Sequence, residues 1–199
     1  MPPASIVPVL DGRSTTAASC LTWAVSAVES LHYLEHLDAA LPGTRLLPGG
    51  HDALTVDVAH ARWAAGTAMT ALDLCAAAIG HLYLPPQAHR KYHDMDSIRK
   101  AIKKAKPAER ARASGWIDPA FADPDFGVIQ AVRHPLTHRT VARHLSVTVG
   151  TGEQAVGRTL LEVARLPSPL PVHEIVQKSR GLATRHVGHF IGRVIRGTI

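Results

Sequence analysis

Residues 131–147 read AVRHPLTHRTVARHLSV, three arginines and three histidines set around Pro135. Val128, Ile129, Val132 and Leu136 recur at helical spacing through its first part, which predicts a helix over about 126–145. Beyond it, LSVTVG (145–150) and GRTLLEV (157–163) alternate apolar and polar residues across the Gly-containing TGEQAV, the pattern of a small β-hairpin. A continued helix through EQAVGRTLLEVARL (153–166) fits nearly as well, so hairpin and helix both stand over 145–165. The choice decides whether the chain is helical throughout or carries an insertion.

Working outward, helices dominate. AASCLTWAVSAVESLHYLEHLDAAL (17–41) sets Leu21, Ala24, Val25, Val28 and Leu31 at helical spacing, with Ser14 or Thr15 as cap and PGTRLLPGG (42–50) as stop. ALTVDVAHARWAAGTAMTALDLCAAAIGHLYL (53–84) reads as a second long helix ending at Pro85 and Pro86, antiparallel to the first. SIRKAIKKAKPAERARASG (97–115) is expected on the surface, with Ser97 as cap and Pro107 as a break. DPAFADPDF (118–126) reads as a loop, and VHEIVQKSRGLATRHVGHFIGRVI (172–195) as a closing helix.

Ala is abundant and aromatic residues make up only 5% of the 199, which favours helices packed on helices. The expectation is an all-α antiparallel helical bundle, 1–199 as a single domain, with a loose N-terminal segment over 1–13 and a small hairpin as insertion. Cys20 and Cys75 are too few for a disulfide framework and are expected as small core residues. No basic region precedes an apolar run at the N-terminus, and Asp73 and His81 interrupt the most apolar stretch; both argue against a membrane span and for a cytoplasmic protein.

Charge is segregated. Residues 1–98 hold five Lys/Arg against nine Asp/Glu, whereas 99–199 hold seventeen against seven. The basic half is where a phosphate backbone would dock, although a solvated basic face has the same composition.

Across the chain, four Arg/His pairs share a five- or six-residue spacing: Arg45/His51, Arg133/His138, Arg139/His144 and Arg180/His186. Context singles out Arg133 and His138: apolar residues surround them, a polar residue follows the Arg directly, and Pro135 lies between. On an ideal helix the two positions are about 140° apart, and Pro135 could kink or restart the helix so that they face one side.

With two long helices before it and a closing helix after, this segment resembles HEPN domains, whose mark is Arg, a polar residue, a few more residues and then His. Here that maps onto Arg133, His134 and His138. The resemblance implies a metal-independent endoribonuclease or an RNA-binding module, often of a toxin or defence system. It implies RNA and an antitoxin or other protein as partners, and a homodimer that pairs two such sites. Arg133 would hold the phosphate, and His138, supplemented by His134, would move the proton. Arg139, Arg143 and His144, one to two helical turns on, would line the RNA path. No cofactor is implied. A non-catalytic interaction or dimerisation module of the same fold is the alternative.

A rival pattern is HYLEH (32–36), the His-x-x-Glu-His form of inverted zinc peptidases. His32 and His36 could share a metal with Glu35 as base, and Glu29, Asp57 and His60 echo the carboxylate and histidine sets of metal-binding helical bundles. That reading requires those side chains to converge. The chain has no Gly-rich phosphate loop followed by Lys-Ser/Thr and no Gly-x-Ser-x-Gly elbow, which argues against nucleotide-dependent and α/β-hydrolase chemistry.

Overall fold

The computed structural model describes residues 15–40, 51–85, 94–137, 143–149, 156–163 and 166–198, with side chains at all of them except 37–40, 51–56, 134–137, 143–149 and 156–158. The protein is a helical bundle carrying a small β-hairpin. Its elements run α1 (Thr15–Ala40), α2 (His51–Tyr83), α3 (Met95–Ile102), α4 (Pro107–Ala122), α5 (Pro124–Thr137), β1 (Arg143–Val149), β2 (Val156–Glu162), β3 (Leu170–Pro171) and α6 (Val172–Ile195).

The segment open between helix and hairpin is a hairpin. β1 and β2 pair antiparallel from Arg143↔Glu162 to Val149↔Val156, and β3 adds two residues beside β2. Leu145, Val147 and Val149 recur every second residue, and on β2 Leu161 is buried while Glu162 is exposed, the period that a strand requires. Pro171, which cannot donate to a ladder, sits on the edge strand. The same alternation corrects the helix expected over 126–145: α5 ends at Thr137. Pro135 does not stop it, since the helix continues two residues further.

Backbone proximity groups the chain into two compact units, each built from separate stretches. The first comprises Met1–Val28, Thr70–Asp123 and Leu182–Ile199. Its core includes Leu21, Leu72, Ile79, Ile98, Trp116, Ile117 and Phe190, and the Trp116 and Phe190 rings meet edge to face at 5.2 Å. Trp116 Nε1 donates to the His186 carbonyl at 2.8 Å, so the indole is buried with its polar atom satisfied.

Two expectations in this unit are corrected. The cap of α3 is Asp94, whose carboxylate accepts from the Ser97 backbone N–H at 2.8 Å and from the Ser97 hydroxyl at 2.8 Å. A second orphan donor of that helix, Met95 N–H, is satisfied by Asp73 of α2 at 2.9 Å. α3 is not a surface helix on all sides, because Met95, Ile98, Ala101 and Ile102 are buried. Pro107 ends the preceding turn and opens α4 at its first position, where a missing N–H costs no hydrogen bond.

The 118–126 loop does not exist either: α4 runs through Pro119 to Ala122, and only Asp123 separates it from α5. Pro119 has no N–H to give the carbonyl four residues back, that of Gly115. Arg193 of α6 supplies a donor instead, its Nη1 reaching the Gly115 carbonyl at 3.4 Å. Glycine at 115 leaves room for it, since a Cβ there would lie 2.8 Å from Arg193 Nη2.

The second unit comprises Glu29–Met69 and Pro124–Gly181. Leu31 and Leu34 of α1, Ala61, Ala64 and Ala65 of α2, Ile129 and Val132 of α5, Leu161 and Val163 at the hairpin, and Ile175 and Val176 of α6 form its apolar interior. Polar pairs tie these elements together. Thr159 of β2 donates to Asp57 of α2, Lys178 of α6 meets Asp125 of α5 at 3.0 Å, and Arg180 meets Glu35 of α1 at 2.6 Å.

Within α2, Asp57–Tyr83 is long and apolar enough to cross a membrane, and 61% of its most apolar window is buried inside the protein. That burial is the condition of a core helix.

Candidate functional site

Arg133 lies on α5 one turn before its end and is half-buried, with Ile129 and Val132 of the same helix in the core. His134 follows it on the last turn, about 100° further round the helix. His138 and Arg139 lie outside the described residues. Arg143 and His144, expected on the same helix as Arg133, instead open β1, where they pair with Glu162 and Leu161 of β2. The helix therefore carries Arg133 and His134, and the strand carries Arg143 and His144. The elements that would frame a phosphate path are a helix end and the start of a hairpin rather than one continuous basic helix.

The lower part of α5 is held from its first turn. Asp125 there pairs with Lys178, whose pKa rises because it donates to Asp125, with Glu174 at 3.6 Å adding a second carboxylate. Acidic residues in the first turn of a helix also suit its positive end.

The convergence that the metal reading needs is missing. Among the described residues no group of three or more His, Cys, Asp or Glu comes together, and Glu29, His32, His36, Asp57 and His60 are all among them. Glu35, which would act as base, is engaged by Arg180, and Asp57 accepts from Thr159. HYLEH is thus part of an amphipathic helix, with Leu34 and the preceding Leu31 buried, His36 exposed and Glu35 in an ion pair.

Sequence reasoning missed a polar cluster in the first unit. Asp123, the residue between α4 and α5, has a side chain only 9% exposed. It accepts from Arg185 Nε and Nη2 at 3.1 Å, and its Oδ2 lies 2.9 Å from His186 Nε2. His186 is itself buried and its Nδ1 has no hydrogen-bond partner. With both ring nitrogens enclosed, the dyad serves as a clamp between the α4–α5 junction and α6; a general base needs a nitrogen that substrate can reach. The signal was present as adjacent Arg185 and His186 facing an acidic segment, but the segment read as a loop.

Cys75 is buried, and burial, followed by the neighbouring Cys20, pushes its thiol well above the ordinary range; Cys20 is raised too, also by burial. Neither is the lowered, accessible thiol of a nucleophile. Cys75 matches the expectation of a core residue, while Cys20 is only half-buried.

No protein-family model, curated protein or solved structure matches the chain.

Proposed function

We propose that this chain is a HEPN-like protein acting on RNA, as a metal-independent endoribonuclease with Arg133 and His138 at its centre. The observation that carries the reading is the setting of VRHPLTHR (132–139): its Arg and the polar residue after it close a helix of a helical bundle, and a hairpin follows. In the proposed reaction, His138 takes the proton of a ribose 2′-OH as that oxygen attacks the adjacent phosphorus, and the P–O5′ bond breaks. The leaving 5′-oxygen receives a proton from a second histidine, His134 or the His138 of a partner copy. Arg133 offsets the charge on the phosphoryl oxygens. Arg139, Arg143 and His144 contact the flanking backbone. A cytoplasmic homodimer, held in check by an antitoxin or similar protein, completes the proposal.

The half-burial of Arg133 favours a second reading, a non-catalytic interaction module in which this arginine braces the end of α5. Incubating the purified protein with a mixed RNA pool in chelator separates the two. The nuclease reading expects cleavage by wild type and its loss in Arg133→Ala and in His138→Ala, with each variant folded and in the wild-type oligomeric state. Equal products from all three proteins, or none, would leave the interaction module.

A further inference from the structure

The lysines and arginines described in the first unit differ in what they meet. Arg99, Lys100 and Arg185 pair with Asp118, Asp96 and Asp123. Among the described residues, Lys103, Lys104 and Lys106, in the turn between α3 and α4, make no ion pair, and neither do Arg112 and Arg196. These five are all exposed.

Hydrogen bonds join these separate stretches into one strip. Arg110 Nη1 reaches the Lys103 carbonyl at 3.5 Å, which holds the start of α4 against the turn. Arg193 Nη2 donates to the Arg112 carbonyl at 3.2 Å and to the Thr198 carbonyl at 3.0 Å, which fixes the C-terminal end of α6 against α4. Arg193 thus carries its charge among carbonyls, and among the described residues no carboxylate pairs with it. The strip runs from Lys103 along the first turns of α4 to Arg196. Its single acidic member, Glu109, makes no ion pair among the described residues. The like charges are felt locally: burial and then Arg193, His186 and Arg196 hold the His189 imidazole below its ordinary pKa.

We propose that this strip is a docking surface for the phosphodiester backbone of a nucleic acid, bound through charge and without reading of bases. Unpaired cations on a rigid helix pair attract a polyanion and release its counterions on contact. A lipid surface would call for apolar insertion as well, and the apolar side of α3 is already spent: Met95, Ile98, Ala101 and Ile102 are in the core. The strip lies in a different unit from Arg133, so backbone docking and cleavage are separable properties of the chain.

The test is fluorescence anisotropy of a labelled single-stranded RNA, and of DNA of the same sequence, titrated with the full-length protein in chelator over a range of salt. Wild type should bind both with similar affinity, weakening as salt rises. The combined Lys103→Gln, Lys104→Gln and Lys106→Gln variant should weaken binding about tenfold or more and flatten the logarithmic salt slope by about 2 units, at about 0.7 per lost phosphate contact. Arg112→Gln with Arg196→Gln should flatten it by about 1 unit. Lys100→Gln, which removes a paired cation, should bind as wild type does. Binding of the DNA, which has no 2′-hydroxyl to attack, keeps this result independent of cleavage. The proposal is overturned if both strip variants bind as tightly as wild type, or if wild-type binding is absent or insensitive to salt. It is equally overturned if phosphatidylserine vesicles capture the protein and neither oligonucleotide does. If the triple lysine variant fails to fold, Arg112→Gln with Arg196→Gln carries the test alone, and wild-type affinity in that variant overturns the proposal.

Discussion

Asp123 is one enclosed carboxylate facing two cationic or potentially cationic side chains, and their unequal exposure sets what each contributes. Arg185 is 50% exposed, so water and salt screen its pairing; the buried His186 contact does more for the fold. Replacing Asp123 with Ala leaves His186 buried with no partner at either nitrogen. The expected loss is about 2–3 kcal/mol in urea denaturation, and a change below about 0.5 kcal/mol would show that the clamp is dispensable. His189, half-buried on α6 and close to Arg193, gives a pH signature. Its folded pKa lies below the ordinary value of about 6.5, so the unfolded chain binds the proton more readily. Its contribution to stability is complete above about pH 6.5 and is lost as pH falls through the folded value. His189→Gln should therefore gain on wild type as denaturation is repeated from pH 7 down to pH 5; a constant difference between the two would contradict the assignment.

At the scale of elements, the sequence was most legible where one signal acted alone. The apolar spacing of 172–195 matches α6 from Val172 to Ile195, and the Pro/Gly boundaries around 53–84 bracket α2 to within two residues. It was least legible where a breaker residue is tolerated by a distant partner. Pro119 reads as a loop because its compensation, the Arg193 guanidinium on the Gly115 carbonyl, comes from a helix far along the chain. The end of α5 was misplaced because VARHLSV satisfies a helical and an alternating pattern at once, and pairing with β2 settles it. The α6–α4 contact also separates two glycines that look alike in sequence. Gly188, exposed inside α6 with open space around it, should accept alanine with a gain of about 0.5–1 kcal/mol. Gly115→Ala should lose that gain, because the new Cβ displaces Arg193; equal gains at both sites in thermal melts would argue against the Pro119–Arg193 account.

For the whole molecule, composition alone announced a helical bundle, and the charge count announced a basic C-terminal half. What composition could not supply was which cations are spent. Pairing with Asp96, Asp118, Asp123, Asp125 and Glu35 neutralises several of them, and among the described residues of the first unit the strip from Lys103 to Arg196 is left without ion pairs. Of the proposed catalytic set, the sequence supplied residue types and spacing; the relation of Arg133 to His138 depends on the chain beyond Thr137, where local pattern is weakest. The metal alternative failed for a readable reason, since its histidines and carboxylates share helices but not a point of convergence among the described residues.

The central claim is RNA cleavage by attack of the 2′-hydroxyl, with histidine and arginine in place of a metal. Its most direct test is the identity of the new RNA ends formed by the wild-type protein in chelator, set against Arg133→Ala and His138→Ala. The account predicts 5′-hydroxyl and 2′,3′-cyclic phosphate ends that appear with wild type and vanish in both variants. Ends bearing a 5′-phosphate, or cleavage no greater than the variants' background, would contradict it.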